Sequence, residues 1–322
     1  MQNKIPKIEE PEFYINYAFN KATKKEKTIK SKSKKKGIEK IKEIEKEKIK
    51  EISKQITNKI QTITKKYPNG QTTHQFHIEI IKTLTNLSEL QKALESLEWA
   101  TKKTVKLTSE HLKKINQANT KTTITLHKNT YYGRISSILK KIKKHLKKLE
   151  ETRKKLTQIP DIKTTLPTTV IAGAPNVGKS TILKNTTKSK PQTATYPFTT
   201  KKLNIGHITK NKTTIQIIDT PGLLDRPLKE KNQIELQAIT ALKHLANKIL
   251  YIFDPTPNSG YTTQQQLNIY KDIKKNFPKT PIIPIINKTD IATKEQIQQI
   301  KKKIENTIET NKKNQKKLIK KI

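Results

Sequence analysis

One octapeptide constrains this chain more than any other feature. Gly173-Ala174-Pro175-Asn176-Val177-Gly178-Lys179-Ser180 fits the pattern G-x4-G-K-[ST]; an apolar run, Thr168 to Ala172, precedes it and a helical pattern, Thr181 to Thr186, follows. A strand must stop, the backbone must fold into a glycine-permitted loop, and a helix must start within those eight residues. Such a loop aims several N–H groups and the positive end of a helix at one point, which is a phosphate cradle. Gly173, Ala174, Pro175, Asn176, Val177, Gly178, Lys179, Ser180 and Thr181 are its candidate residues, with Lys179 reaching the β/γ-phosphates and Ser180 ligating magnesium. Further apolar runs at 213–218, 249–253 and 282–286 alternate with helical patterns at 233–245 and 263–276. That alternation predicts an α/β domain over 161–322 with a mostly parallel sheet covered on both faces.

Two more motifs follow predicted strands. Asp219-Thr220-Pro221-Gly222 sets a carboxylate at a strand end, where it can hold magnesium, beside a glycine N–H that can sense a γ-phosphate. Asn287-Lys288-Thr289-Asp290 closes the 282–286 strand, and Asp290 can accept from guanine N1 and its exocyclic amine in a bidentate pair. Adenine has no matching donors, so an unpaired Asp290 in a buried base site would reject it. The three motifs together predict GTP and GDP as ligands, with Mg2+.

The N-terminal half has a different texture. Ile41, Ile44, Ile49, Ile52, Ile56, Ile60 and Ile63 recur at helical spacing, and Tyr67-Pro68-Asn69-Gly70 ends the run. Leu84, Leu87, Leu90, Leu94 and Leu97 continue the stripe, with Ser88 as the expected cap and Trp99 expected in the core. A single long helix is expected from Ile135 to Leu156, bearing Lys140, Lys141, Lys143, Lys144, Lys147 and Lys148 on its other face, before Pro160. An antiparallel helical bundle over 1–160 is therefore predicted, with Lys21 to Gly37 as a flexible basic arm or frayed helix end. Seven dispersed histidines and the absence of cysteine argue against thiol chemistry and against a histidine–cysteine metal site.

The chain carries 68 Lys+Arg against 27 Asp+Glu, a formal +41, and with Arg134, Arg153 and Arg226 as its only arginines it has 65 lysines. A field of that sign favours nucleic acid as the large partner, through salt-sensitive phosphate contacts that read RNA shape rather than sequence. No apolar stretch is long enough to span a membrane and none near the start resembles a signal peptide, so a soluble, cytoplasmic protein without a membrane partner is expected.

Beyond its motifs, the chain resembles a known family. Tyr196-Pro197-Phe198-Thr199-Thr200-Lys201, the extended run Asp219 to Pro227, Phe253-Asp254-Pro255 with Gly260-Tyr261, and in the N-terminal half Leu97-Glu98-Trp99-Ala100 and Tyr132 to Ser137 are similar to the Nog family of Obg-related GTPases, over about residues 10 to 290. The resemblance implies a GTPase switch that binds rRNA and proteins of the large ribosomal subunit during its assembly, as a monomer off the ribosome. It also implies that the chain, without a long C-terminal extension, is a short archaeal form. Thr199 and Thr200 fall in switch I, where one of the two ligates magnesium and follows the γ-phosphate; Lys179, Thr199, Thr200 and Gly222 are then the catalytic set. Leu223 stands where Ras-type enzymes carry a glutamine, which implies slow unassisted hydrolysis. Asn176 matches the ligand that potassium-stimulated members use, so K+ is a candidate cofactor.

One departure from the pattern stands out. Beyond Asp290, the stripe Ile297, Ile300, Ile304 and Ile308 reads as an amphipathic helix, with no last strand and no guanine-contacting loop, which leaves a sheet edge exposed. That expectation and Leu223 sustain one alternative, a catalytically silent rRNA-binding scaffold; within the enzyme class the alternative is another Obg-like translation GTPase.

Overall fold

The structure, a computed structural model, describes residues 5–68, 73–157, 162–187, 192–195 and 202–320. The chain divides into two compact units, Met1–Asn69 with Thr85–Thr157, and Gly70–Leu84 with Gln158–Ile322.

The first unit is a helical bundle. It contains α1 (Pro11–Lys32), α2 (Gly37–Lys66), α4 (Leu87–Gln117), α5 (Lys121–Lys141) and α6 (Lys143–Leu156). The isoleucine stripe of α2 lies in its core: Ile49, Ile52, Ile56, Ile60 and Ile63 are buried, as are Leu97, Tyr131 and Leu149 of the same unit, and α2 packs on α4 and α5. Tyr67, just past α2, donates its hydroxyl to the Leu149 carbonyl at 2.8 Å, so the end of α2 is pinned to α6.

Several expectations are corrected here. Of the two expectations for Lys21 to Gly37, the flexible arm is overturned and the helix end is the nearer: Lys21–Lys32 is the second half of α1, whose Ala18 and Ala22 are fully buried, and only 33–36 lie between α1 and α2. The long last helix breaks at Ile142, a buried residue with φ −91° and ψ 4°, into α5 and α6. Asn86, not Ser88, caps α4: its side chain accepts from the Ser88 N–H at 2.9 Å. Trp99 is 43% exposed because the α4 stripe runs through Leu90, Ala93, Leu97, Ala100 and Thr104, and a residue two beyond Leu97 points about 200° away from it.

The second unit joins α3 (Gln75–Leu84) to the α/β part, where α3 packs on α8 (Gln233–Lys243). The predicted bundle over 1–160 includes this segment, whose apolar face packs on α8 instead. The remaining elements are β1 (Thr168–Ala172), α7 (Lys179–Thr186), β2 (Gln192–Thr195), β3 (Lys202–Lys210), β4 (Thr213–Asp219), β5 (Lys248–Phe253), α9 (Thr263–Asn276), β6 (Ile282–Ile286), α10 (Lys294–Lys301) and β7 (Ile308–Glu309). Among the described residues the sheet has seven strands in the order β2-β3-β4-β1-β5-β6-β7, with β3 antiparallel to both its neighbours, β2 and β4, and every other pair parallel. The expected helical region followed by a mostly parallel sheet is the observed architecture.

The expected loss of the last strand is overturned. α10 stops at Lys301, and β7 pairs parallel with β6, Ile285 opposite Ile308 and Ile286 opposite Glu309. Thr310 N–H extends that ladder to the Ile286 carbonyl at 2.8 Å, and a short 3-10 helix, Gln315–Lys320, then packs on α7. The β6 edge is therefore covered. Two residues held only by a neighbouring strand carry no periodicity, so the polar sequence around them gave no strand signal.

Candidate functional site

Parallel pairing around the central β1 brings the carboxyl ends of β1, β4, β5 and β6 to one edge, with Ile171 opposite Asp219 and Phe253 opposite Ile286. Ligands of open α/β sheets sit at that edge. The loop after β1 has the backbone that its glycines permit. Gly173 has φ +139° and Gly178 φ +98°; a Cβ on the first would stand 2.5 Å from the Ile252 carbonyl oxygen, and on the second 2.5 Å from Asn287 Nδ2. Asn176 lies in the left-handed region at φ +60° and is exposed, while Ala174 and Val177 are fully buried and Pro175 half-buried.

Lys179 opens α7 and is buried, its amine donating to the carbonyls of Gly173 (2.9 Å) and Ala174 (2.7 Å). Burial pushes this amine below the usual lysine range, opposed by the charges of Asp219 and Asp225. Ser180 and Thr181 are exposed, and Ser180 Oγ donates to Asp219 Oδ2 at 2.5 Å. Asn204 Nδ2 donates to the same oxygen at 3.0 Å. Asp219 is fully buried, yet its Oδ1 has no hydrogen-bond partner. An orphaned buried carboxylate oxygen beside a hydroxyl is a hard-oxygen donor set, and it fits a magnesium ion held by Ser180 and Asp219.

The loop after Asp219 is folded and tied down. Thr220 is buried and spends its hydroxyl on the Ile171 carbonyl at 3.1 Å, so it pins the loop. Gly222 is buried at φ +83°, and Pro221 is half-buried. Leu223 is 1% exposed, its N–H bonded to the Thr220 carbonyl, and the Leu224 carbonyl accepts from Gly173 N–H at 3.1 Å.

At the base end the motif residues divide their labour. Asn287 is buried and donates Nδ2 to the Val177 carbonyl at 2.9 Å, bracing the phosphate loop. Lys288 donates to the Asn176 carbonyl at 3.0 Å and pairs with buried Asp254 at 2.6 Å. Asp290 is exposed, not in the buried setting expected for it. Thr289 donates both its N–H (3.2 Å) and its hydroxyl (3.1 Å) to the Thr310 carbonyl, joining this motif to the turn that follows β7. A turn after β7 is thus joined to this motif, where the sequence alone predicts no strand or loop beyond Asp290.

Most of the expected residues converge on one edge: Gly173–Thr181, Asp219–Gly222 and Asn287–Asp290. Thr199 and Thr200 lie outside the described residues. Sequence alone assigns no site role to Asn204 on Asp219, to Gln315, which donates to Asn287 Oδ1 at 3.3 Å and accepts from Asn185, or to Lys231 on Gly222, and it does not pair Asp254 of Phe253-Asp254-Pro255 with Lys288. Only Asp254, a carboxylate directly after a strand, left a signal; the others are ordinary polar residues among many. Among the described residues no three His, Asp or Glu cluster as a metal site, and no helix is long and apolar enough to cross a membrane.

Residues 3–163 match the family model described as the NOG1 N-terminal helical domain, and residues 233–290 match the model for nucleolar GTP-binding protein 1 (NOG1). An uncharacterized protein of Methanocaldococcus jannaschii is 40% identical over 75% of this chain and 67% of its own length. Nucleolar GTP-binding protein 1 of Eremothecium gossypii is 33% identical over 74% of this chain, but the match spans only 37% of that relative. A solved structure described as nucleolar GTP-binding protein 1 of Plasmodium falciparum is 33% identical, covering 48% of this chain and 82% of the other, with a TM-score of 0.41.

Proposed function

The chain belongs to the nucleolar GTP-binding protein 1 family, and from that premise we propose that it is a GTP-hydrolysing switch that binds rRNA of the large ribosomal subunit during assembly. The observation that carries the site assignment is the contact of Ser180 with Asp219, whose second oxygen is buried and unpartnered, beside the buried amine of Lys179. Gly173–Thr181 would cradle the phosphates, with Lys179 on the β/γ oxygens and Gly222 sensing the γ-phosphate. Asn287 and Lys288 would hold the loop beneath the base that Asp290 selects. Magnesium, held by Ser180, Asp219 and one of Thr199 and Thr200, would neutralise charge on the phosphate oxygens. Leu223 is apolar and buried, so it cannot orient a water, and hydrolysis is slow unless stimulated. Asn176, exposed on the loop, is the residue for a potassium ion; turnover should rise in KCl over NaCl, and equal rates would remove it from the account.

The bundle supports an RNA partner: Lys140, Lys141, Lys143, Lys144 and Lys147 are all exposed along α5 and α6. Lysine gives point-charge phosphate contacts, so binding should weaken steeply with salt. We place the protein in the cytoplasm, as a monomer when off the ribosome. Co-sedimentation with purified large subunits tests the switch: retention with a GTP analogue and release with GDP is expected, and indifference to the nucleotide contradicts it. Leu223 alone favours the second reading, a catalytically silent rRNA scaffold, because the covered β6 edge removes its other support. Nucleotide-independent retention without GTP turnover would select it. Retention on both subunits alike would instead favour another Obg-like translation GTPase.

A further inference from the structure

Of the 65 lysines in this chain, Lys231 stands out: its side chain has 0% exposure. Burying an ammonium costs several kcal/mol unless it is paired and hydrogen-bonded, so a buried amine is retained where it does something specific. Its amine donates to the Gly222 carbonyl at 2.8 Å and to Asp225 Oδ1 at 2.9 Å. Gly222 is the residue whose N–H is the candidate γ-phosphate sensor, so Lys231 fixes the peptide on its carboxyl side. Leu224, two residues on, is tied to Gly173, the first glycine of the phosphate loop.

The anchor behind Lys231 is rigid. Its own N–H bonds to the Leu228 carbonyl at 3.0 Å, and the next residue, Asn232, forms a reciprocal capping box with Glu235 at the start of α8. Arg226 closes the same loop onto both Glu235 oxygens at 3.0 and 3.1 Å. Lys231 also lies close enough to Lys179 for its charge to depress that amine further, so it belongs electrostatically to the phosphate site. Leu223 offers no side chain that could order the loop from within.

We infer that Lys231 is a positioning residue for the γ-phosphate: it holds the Gly222–Asp225 loop in the register that distinguishes GTP from GDP, in place of an internal polar residue. This rests on the nucleotide reading above. Replacing only the lysine would leave Asp225 buried and unpaired, so the test uses Lys231→Met with Asp225→Asn, which removes both charges together. On the full chain, affinities for labelled GDP and for a non-hydrolysable GTP analogue, single-turnover hydrolysis and the melting temperature are measured side by side. The expected result is GDP affinity within about 3-fold of the parent, with analogue affinity and hydrolysis each lower by about 10-fold or more. Lys231→Gln with Asp225→Asn keeps amide donors and a closer match in volume, and should show a GDP-sparing loss of analogue affinity of about 5-fold or more; it serves if the first double variant does not fold. Equal losses for GDP and analogue that track a lower melting temperature would make Lys231 a mere brace and overturn the inference, as would no change. Parent protein without GDP binding that Lys179→Ala abolishes would instead overturn the nucleotide reading and the inference with it.

Discussion

The two units treat charge in opposite ways. In the bundle, charges pair along helix faces: Glu26 takes Lys30 at 2.7 Å and Lys48 at 2.8 Å, Lys50 meets Glu47, and the half-buried Arg153 meets Glu150, around a core of isoleucine, leucine and alanine; only Glu45 among the described bundle carboxylates has a buried oxygen without a partner. In the second unit, Lys179, Asp219, Asp225, Lys231, Glu235 and Asp254 are buried at the end of β4 or in the segments that directly follow β1, β4 and β5, and Glu79 is buried on α3. Solvated pairs contribute little and mark no site, whereas buried charges cost folding energy and mark chemistry. A net charge of +41 therefore says less about function than the six buried groups at or after the ends of β1, β4 and β5 do.

Substitutions can break that contrast at graded strength. Lys179→Ala strips a buried cation from the phosphate cradle and should lower guanine-nucleotide affinity by about 100-fold or more, read by fluorescence titration; a loss under 3-fold would mean the cradle does not bind phosphate. In the bundle the costly change is apolar: Ile52→Ala empties a fully buried site and should cost about 2–5 kcal/mol in urea unfolding.

A smaller effect follows from the bundle's buried histidine. His111 is 1% exposed, its Nδ1 lies 2.9 Å from the His127 carbonyl and its Nε2 has no partner; burial holds it below the usual histidine value. The unfolded chain therefore binds the proton more readily. Stability is full above the ordinary value near 6.5 and falls as pH drops through it toward the folded value. The urea midpoint should be lower at pH 5.5 than at 7.5, and His111→Gln should flatten the difference. Smallest of all, Lys50→Ala, which breaks the exposed pair with Glu47, should change stability by about 0.5 kcal/mol or less. A larger loss there would undo the contrast between solvated and buried charge.

Where a stretch of sequence carries its own period or a fixed-spacing motif, the fold could be read from it directly. Strands 168–172 and 282–286 and helix 263–276 have the bounds that their apolar runs and caps imply. The phosphate loop was equally readable, because its glycine spacing states a backbone requirement. Elsewhere tertiary packing decides. α1 hides behind Ala18 and Ala22, small residues that fill a close helix contact without forming an obvious apolar stripe. β7 exists because β6 presents an edge, and α3 joins the second unit through α8, an association that no local pattern encodes. Lys231 is one lysine in a lysine-rich chain, distinguishable only by where its amine ends up.

The central claim, a guanine-nucleotide switch site formed by three loops at one sheet edge, is tested most directly by competition. Labelled GDP is titrated into the full chain with magnesium at moderate salt, then challenged with GTP and with ATP. Micromolar or tighter GDP binding, displaced by GTP but not by excess ATP and relaxed toward other purines by Asp290→Asn, is the predicted result. Displacement by ATP as readily as by GTP, or no GDP binding, would contradict it.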